Sequence, residues 1–511
     1  MKSLLNTPLE VTIAEWWTSI DDACKKAFFA ALCVNIVAFG FEMTNLTLNH
    51  DDVSYIFIQD TILGHYLGRF GLGWLHNYTQ NHYFMPFLQM LEGILMMSAY
   101  GVLVAYFWGV RKATDLALMS AIICVFPYMG SVFQYNAAMA PYPAAHLLVA
   151  LAVMVSTRAT AISVAGASIL YVAAFSIYQS VAANAATIFV IWLLSRHLFD
   201  DGRSGFLSLG TVRSATTAVV SVLLGGVLYL GAVSMLNLEP DTVHASDDAF
   251  HLRGLFDPAL GVRAIVHGTR SFFLWPESYF PGYLKALQVA VLVGAAAFCL
   301  HVPKRMSGKI LAVALLVLAV FVPRSLQLLA PKGHFHHLSL TAYAILMAGA
   351  GMIVIRAGRT VTRNLSIVLM SFLVAGYVMQ CNWISTVNYL NTLAHFSTLT
   401  QVLSRIRSIP DVQWDGRQIA VVGALDMPRE YPFLSGATGV AINFMDASHM
   451  EKLARLSRDK ATFVAADRTM PKVLEYAASH PAWPAPGSVG VVDGMGVVVF
   501  SKIAGAPGGV E

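Results

Sequence analysis

The sequence predicts a mainly α-helical, polytopic membrane protein with a small α/β module at its C-terminal end, and three observations carry that prediction. Of 511 residues, 57% are hydrophobic and only 12% are charged, and the mean hydropathy is +0.62. A soluble domain carries about a quarter charged residues, so the apolar surface here is too large for one water-soluble core. The apolar residues also come in runs, and crossing the hydrocarbon of a bilayer takes roughly 20 apolar residues in a helix. After about residue 384 the runs give way to shorter strand-like and helix-like stretches. Disorder and a soluble enzyme with a single anchor are both excluded. The net charge of +4 comes from basic residues dispersed among loops, and no nucleic-acid partner is expected. Cys24, Cys33, Cys124, Cys299 and Cys381 lie in or beside apolar runs without a CxxC pair, so they read as packing thiols.

Taken in order, the N-terminal residues 1–26 carry no cleavable leader. From Leu9 to Lys26 they place Ile13, Trp16, Trp17 and Ile20 at helical spacing, as an interfacial helix on the cytoplasmic side would. About 11 spans follow within 27–383, near 27–45, 86–108, 115–133, 142–156, 160–176, 179–195, 214–236, 283–301, 310–326, 338–355 and 364–383. Loops on one side hold 15 Lys and Arg and those on the other 7, which puts the N-terminus in the cytoplasm. The odd number of spans then leaves the loops 46–85 and 237–282, and everything after 384, facing outward. In that tail, 389–408 has helical apolar spacing, 418–425 and 489–503 are strand-like, and 450–458 is helix-like. The segment 384–511 therefore reads as a helix followed by a small α/β module, without a GxGxxG or P-loop pattern. No internal repeat relates the two halves of the membrane part, which weighs against a transporter built from inverted repeats.

Polar chemistry is concentrated at the outward side. Glu42 near the end of the first span opens a loop in which His50 precedes the adjacent acids Asp51 and Asp52, with Tyr55 just beyond. Two neighbouring carboxylates repel, which raises the proton affinity of one and suits it to general-base work. They equally suit the first turn of a helix starting near Val53, where acids are favoured. Tyr66, Phe70, Trp74 and Tyr78 recur every fourth residue, as in a helix lying on a membrane. Arg69 is the single basic residue of that loop. It can hold a lipid phosphate bidentately, or snorkel and pair with Asp60. Gly68, Gly71 and Gly73 permit close approach of a ligand or of a second helix.

A second outward cluster, PRSLQLLAPKGHFHHLS at 323–339, offers Arg324, Lys332, His334, His336 and His337 to an anionic group. Its HxHH spacing lacks a local Cys or carboxylate, so phosphate contact is the more natural use than metal. Tyr178 and Gln179, like Gln134, Tyr135 and Asn136, are of types that stack on and hydrogen-bond sugars, although they also cap and anchor helix ends. The loop 237–282 adds Glu239, Asp241, Asp247, Asp248, Asp257 and the segment WPESYFPGY, as a lid or as a solvated connector. Within the spans only Glu92 is clearly ionisable and deep, fewer such groups than a proton-coupled transporter needs.

These features resemble the GT-C class of integral membrane glycosyltransferases and, more narrowly, the Gtr-type serotype-converting O-antigen glucosyltransferases of bacteria. The resemblance rests on LNHDDVSY at 48–55, LGRFGLGWL at 67–75, SIYQS at 176–180, PRSLQLLAPKG at 323–333 and the helix NYLNTLAHFSTLTQVLSRI at 388–406. It covers about 400 residues, and its motifs are short. It implies transfer of glucose or a similar hexose from undecaprenyl-phosphate sugar to lipid-linked O-antigen, a step of lipopolysaccharide assembly, on the periplasmic face of the inner membrane. Asp51 or Asp52 would be the base, and Arg69, Arg324, Lys332 and His334 would hold the lipid phosphate. Glu42, His50, Tyr55, Trp74, Tyr178 and Gln179 would line the sugar and acceptor side. No metal site is assigned, and because related enzymes differ in metal use, a divalent cation (Mg or Mn) stays open as a cofactor. The terminal module has no counterpart required by the family pattern. The competing readings are a flippase or transporter of lipid-linked glycans, with the acids as gating groups, and a non-catalytic scaffold of an envelope assembly.

Overall fold

The computed structural model describes residues 8–49, 52, 68–79, 84–200, 209–236, 257–275, 277–303, 305–331, 335–410, 417–426 and 444–501. His50, Asp51, Tyr55, Lys332 and His334 lie outside the described residues. The chain divides into two compact units. One takes in the described residues among Met1–Thr44 and Asp60–Trp383, the other those among Asn45–Gln59 and Ile384–Glu511.

Among its described residues the regular elements of the first unit are helices. Its elements are α1 (Leu9–Ser19), α2 (Asp22–Thr44), α3 (Phe70–Thr79), α4 (Pro86–Phe107), α5 (Ala113–Cys124), α6 (Pro127–Phe133), α7 (Pro141–Ser156), α8 (Ala161–Ile177), α9 (Val181–Phe199) and α10 (Leu209–Met235). Then come α11 (Pro258–Leu274), α12 (Gly282–His301), α13 (Met306–Phe321), α14 (Ala342–Ala357) and α15 (Thr360–Arg407). Among the described residues eight helices are long and apolar enough to cross a membrane, or up to nine if the pair α5 and α6, bent by 57°, counts as one span. Two shorter apolar helices, Pro141–Ser156 and Ala161–Ile177, stand where two more spans were expected. The chain is a mainly α membrane protein.

Local chemistry explains the element starts. Proline opens α4, α6, α7 and α11 at the position where a missing N–H costs nothing. Pro127 also keeps Phe126 out of the helical region (φ −56°, ψ 132°), which breaks α5 from α6. α8 begins with reciprocal bonds between Thr160 and Ser163. The expected interfacial helix over 9–26 is two pieces, because the Asp21 side chain accepts from Ala23 N at 2.8 Å and starts α2. α1 buries none of its residues, and Trp16 is 63% exposed.

Burial sorts the helices. α14 is enclosed on nearly every side, whereas α10 exposes Leu223, Val227 and Leu230. An apolar helix left uncovered by protein is one that lipid covers. Helices close on each other through small and polar groups: Asn35 donates to Ser98 Oγ at 2.9 Å, and Ser168 Oγ donates to Ser221 O at 3.2 Å. The interval 237–282, expected as a loop, contains the helix α11. Asp257 caps it by accepting from Leu260 N at 3.1 Å, and it buries Ile265, Gly268, Thr269 and Phe272 on one face.

α15 runs 48 residues without a proline and stops before Pro410, so the expected last span and the helix after it are one element. Its residues from Ile384 belong to the second unit, with β1 (Gln418–Val422), β2 (Leu425–Asp426), β3 (Phe444–Met445), α16 (Ala447–Leu456), β4 (Thr462–Ala465), α17 (Pro471–Ser479), β5 (Val489–Val492) and β6 (Met495–Val499). The main sheet has the order β4-β1-β6-β5; β1 is parallel to both neighbours, and β5 and β6 are antiparallel. Within the run expected as one strand, 489–499 is a hairpin, turned by Asp493 (φ 49°) and Gly494 (φ 77°), the Asp-Gly pair that a tight two-residue turn with two positive φ values favours. Ala420, Val422, Val497 and Val499 of the sheet pack on Val473 and Ala477 of α17.

Candidate functional site

Within the helical unit, the residues singled out from separate stretches of sequence gather around two arginines. Arg69 follows Gly68, which holds φ +69°, a conformation that favours glycine. The tight fit there is with a helix. Tyr229 of α10 donates its hydroxyl to Gly68 O at 3.1 Å, and a Cβ at Gly68 would lie 2.7 Å from the Tyr229 hydroxyl oxygen. One turn on, a Cβ at Gly71 would collide with Ser176. Arg69 Nη1 donates to the Tyr142 hydroxyl at 2.9 Å, and Nε donates to Gln179 Oε1 at 3.3 Å. Its guanidinium lies 5.3 Å from the Tyr178 ring centre and 5.9 Å from that of Tyr142, and the two rings stack at 4.1 Å. A guanidinium over aromatic faces gains cation–π attraction and keeps its fork in one plane. Gln179 also donates to the Tyr229 hydroxyl at 2.8 Å. Tyr178 and Gln179 therefore hold Arg69. Burial pushes the Tyr178 hydroxyl pKa up, which keeps it neutral. Trp74 of α3 packs edge-on against Phe70 at 5.3 Å and is 49% exposed.

Arg324 lies in the short 3₁₀ stretch Val322–Leu328. Its Nε donates to the Tyr343 hydroxyl at 3.4 Å, and its guanidinium is 5.9 Å from that ring centre. Gly268 of α11 makes room for it: a Cβ there would lie 3.0 Å from the guanidinium carbon. Tyr343 in turn stacks on Phe272 of α11 at 3.9 Å. Among the described residues no carboxylate pairs with Arg324.

One short segment reaches both arginines. His337 and Ser339 lie in the 3₁₀ turn His337–Leu340, and Thr341 and Tyr343 follow. Ser339 Oγ shares a hydrogen bond with the Tyr178 hydroxyl at 3.0 Å, on the Arg69 side. Thr341 Oγ1 meets His146 Nε2 at 3.0 Å and accepts from Asn184 at 3.1 Å. Tyr343 carries Arg324. His337 leads to a residue that sequence reasoning did not single out, Glu277.

The Glu277 carboxylate accepts from the Tyr128 hydroxyl at 2.7 Å and meets His337 Nε2 at 2.8 Å and Lys285 Nζ at 3.8 Å. Burial alone raises its pKa. The hydrogen bond and charge of His337, the Tyr128 hydroxyl and Lys285 outweigh that, and the net shift is below the ordinary carboxylate value. Tyr279 lies beside it, its hydroxyl accepting from Ser131 Oγ at 2.9 Å. Burial raises the Tyr279 pKa, and the carboxylates of Glu277 and Glu42 add to that rise, so Glu42, itself buried, lies within electrostatic reach of Tyr279. The available signal for Glu277 was its setting in WPESYFPGY: one acid among aromatic and apolar neighbours.

Asp52 belongs to the second unit. It is fully buried, its N–H donates to Asn49 Oδ1 at 2.9 Å, and its Oδ2 accepts from Asn49 N at 3.1 Å. That reciprocal pair has the geometry of a capping box, with Asn49 as the cap. Leu48 N donates to Thr392 Oγ1 at 3.1 Å, so this segment lies along α15, where Asn388, Asn391, Thr392 and His395 are buried at helical spacing. Among the described residues no three His, Cys, Asp or Glu side chains form a group that could hold a metal ion.

The family model described as Glucosyl transferase GtrII matches residues 40–403, and a search of curated proteins finds no significant match. The matched stretch takes in both arginines, Asp52 and the Glu277 cluster. With the match covering well over half of its length, the chain belongs to the GtrII glucosyl transferase family and is a glycosyltransferase.

Proposed function

We propose that the protein moves glucose, or a similar hexose, from a polyprenyl-phosphate sugar to lipid-linked O-antigen or a related surface glycan, at the periplasmic face of a bacterial inner membrane. The observation that carries the donor side is the pair Arg69 and Arg324. Arg69 is laid over two tyrosine rings and Arg324 over one, and both are linked to the segment 337–343. Arginines oriented before the ligand arrives suit a phosphate that gains charge as its bond to the sugar breaks. Lys332 and His334 would add donors on the same side. Glu42, His50, Tyr55 and Trp74 are left for the sugar and acceptor, while Tyr178 and Gln179 act on the donor phosphate through Arg69.

The reaction is one inverting displacement. A carboxylate of the Asp51–Asp52 pair takes the proton of the acceptor hydroxyl as its oxygen attacks the anomeric carbon. The bond from that carbon to the phosphate oxygen breaks, and polyprenyl phosphate leaves with the electron pair, its charge met by the arginines. The cap bonds of Asp52 with Asn49 favour Asp51 as the base. The described residues do not assemble a site for a divalent cation, and no step is routed through one.

The test is transfer of labelled hexose from polyprenyl-phosphate glucose to lipid-linked glycan in membranes carrying wild type, Asp51→Asn or Asp52→Asn. The expected result is a normally inserted but inactive Asp51→Asn protein, with Asp52→Asn retaining part of the activity because asparagine still caps. Equal transfer by all three would remove the acids from the mechanism.

A further inference from the structure

We propose that Glu277 is a positioning residue for the donor phosphate. It acts by fixing the end of the helix against which Arg324 lies, and the proposal rests on the reading that Arg324 holds that phosphate. The carboxylate joins three elements that are far apart in sequence: Tyr128 of α6, His337 of the 3₁₀ turn, and Lys285 in the first turn of α12. Lys285 is 7% exposed. Its ammonium donates to Phe272 O at 2.8 Å and also to Trp275 O, carbonyls at the C-terminal end of α11. Carbonyls of a last turn have no partner within their own helix, and a buried ammonium both satisfies them and needs a counter-ion. Glu277 is that counter-ion.

The held end of α11 is the part that builds the seat of Arg324. Phe272, whose carbonyl Lys285 takes, stacks on Tyr343, and the Tyr343 hydroxyl accepts from Arg324. Gly268, one turn earlier on α11, faces the guanidinium. Glu277 is itself engaged by Tyr128, His337 and Lys285, so it does not pair with Arg324 in place of an anion. Removing its charge leaves Lys285 buried without a carboxylate and the Tyr128 hydroxyl with a weaker acceptor, and both losses fall on the same end of α11.

The experiment measures steady-state transfer by the full-length protein in lipid nanodiscs, varying donor and acceptor separately, for wild type, Glu277→Gln, Tyr128→Phe and Arg324→Ala. Retention of polyprenyl monophosphate by the same nanodiscs is the readout independent of turnover. Glu277→Gln is expected to raise the donor KM about tenfold, equivalent to ~1.4 kcal/mol, with the acceptor KM unchanged and phosphate retention weakened in step. Tyr128→Phe, which removes one contact and keeps the charge, shifts the same constants in the same direction by a smaller factor. A donor KM unchanged in Glu277→Gln, or a parallel rise of both KM values, overturns the positioning role. If Glu277→Gln cannot be purified folded, an unshifted donor KM in Tyr128→Phe overturns it equally. Donor KM and phosphate retention unchanged in Arg324→Ala would instead bring down the donor-phosphate reading, and this proposal with it.

Discussion

In the helical unit the described charged side chains around the two arginines are held by neighbours. Arg69 is held by Tyr142 and Gln179, Arg324 by Tyr343, and Glu277 by Tyr128, His337 and Lys285. The buried polar face of α15 in the second unit differs. There Asn391 is 1% exposed, and neither end of its amide finds a hydrogen-bond partner among the described residues. The first region has its arginines and the Glu277 carboxylate arranged before any ligand arrives, and of the groups around them His337 Nδ1 is buried without a described partner. The second carries an unmet desolvation cost inside the fold. Substitutions in the two regions should therefore differ in sign. In the first they remove function, and in the second a substitution can add stability.

The largest effect is expected at the arginines, and lysine separates their seats. Arg324→Ala should lower kcat/KM for the donor about 100-fold, since a charged hydrogen bond to a phosphate is worth ~1.5–3 kcal/mol. Arg324→Lys keeps the charge and gives up a single hydrogen bond, at 3.4 Å, so it should recover much of that loss. Arg69→Lys should recover less, because Arg69 makes two side-chain bonds and lies over two rings, a geometry that needs the planar fork. Equal rescue by lysine at both positions would show that charge alone matters and that the two seats are equivalent.

At Asn391 the expected effect is smaller and of opposite sign. Leucine keeps the branched shape of asparagine with methyls in place of the amide oxygen and nitrogen, removes two unpaired polar ends and is the better helix former. Asn391→Leu should add ~1 kcal/mol to stability, read as a higher midpoint of thermal unfolding of the purified full-length protein. A lower midpoint would mean that the amide is satisfied after all, and the contrast between the two regions would not hold.

Much of the helical unit was legible in the sequence because long apolar runs and proline starts are local signals. α4, α9, α12 and α14 stand close to where hydropathy put them. Arg69, Tyr178 and Gln179 could each be named from residue type, yet nothing local brings position 69 to positions 178 and 179; packing of α3 on α8 and α10 does that. α11 was hidden because a half-buried amphipathic helix between charged residues reads as a loop, although Asp257-Pro258 marks its start. In the second unit β4 and α17 are short and carry little local signal, and the hairpin β5–β6 reads as one strand in sequence because its turn is only the two residues Asp493 and Gly494. Glu277 shared a loop with five other acids, and only the approach of Tyr128, Lys285 and His337 distinguishes it.

The smallest effect sharpens the first region from its acid side. The pKa of Glu277 in the folded protein lies below its ordinary value of 4.5, despite burial, because His337, Tyr128 and Lys285 favour the ionised form. A group whose pKa is depressed by folding binds its proton more weakly in the native state than in the unfolded chain. Its contribution to stability is complete above the ordinary value and is lost as pH falls through the lowered one. Tyr279 also faces the cluster, and Glu42 lies within electrostatic reach of Tyr279; the tyrosine stays neutral throughout this window, and Glu42 is unaltered between the proteins compared. Unfolding midpoints of wild type and Glu277→Gln should therefore lie apart at neutral pH and converge as pH falls below the ordinary value of 4.5 and through the lowered one, because glutamine has no charge to lose. Parallel acid profiles would mean that the carboxylate is not held ionised by its three partners, and the arranged charge that distinguishes this region would have to be sought at the arginines alone.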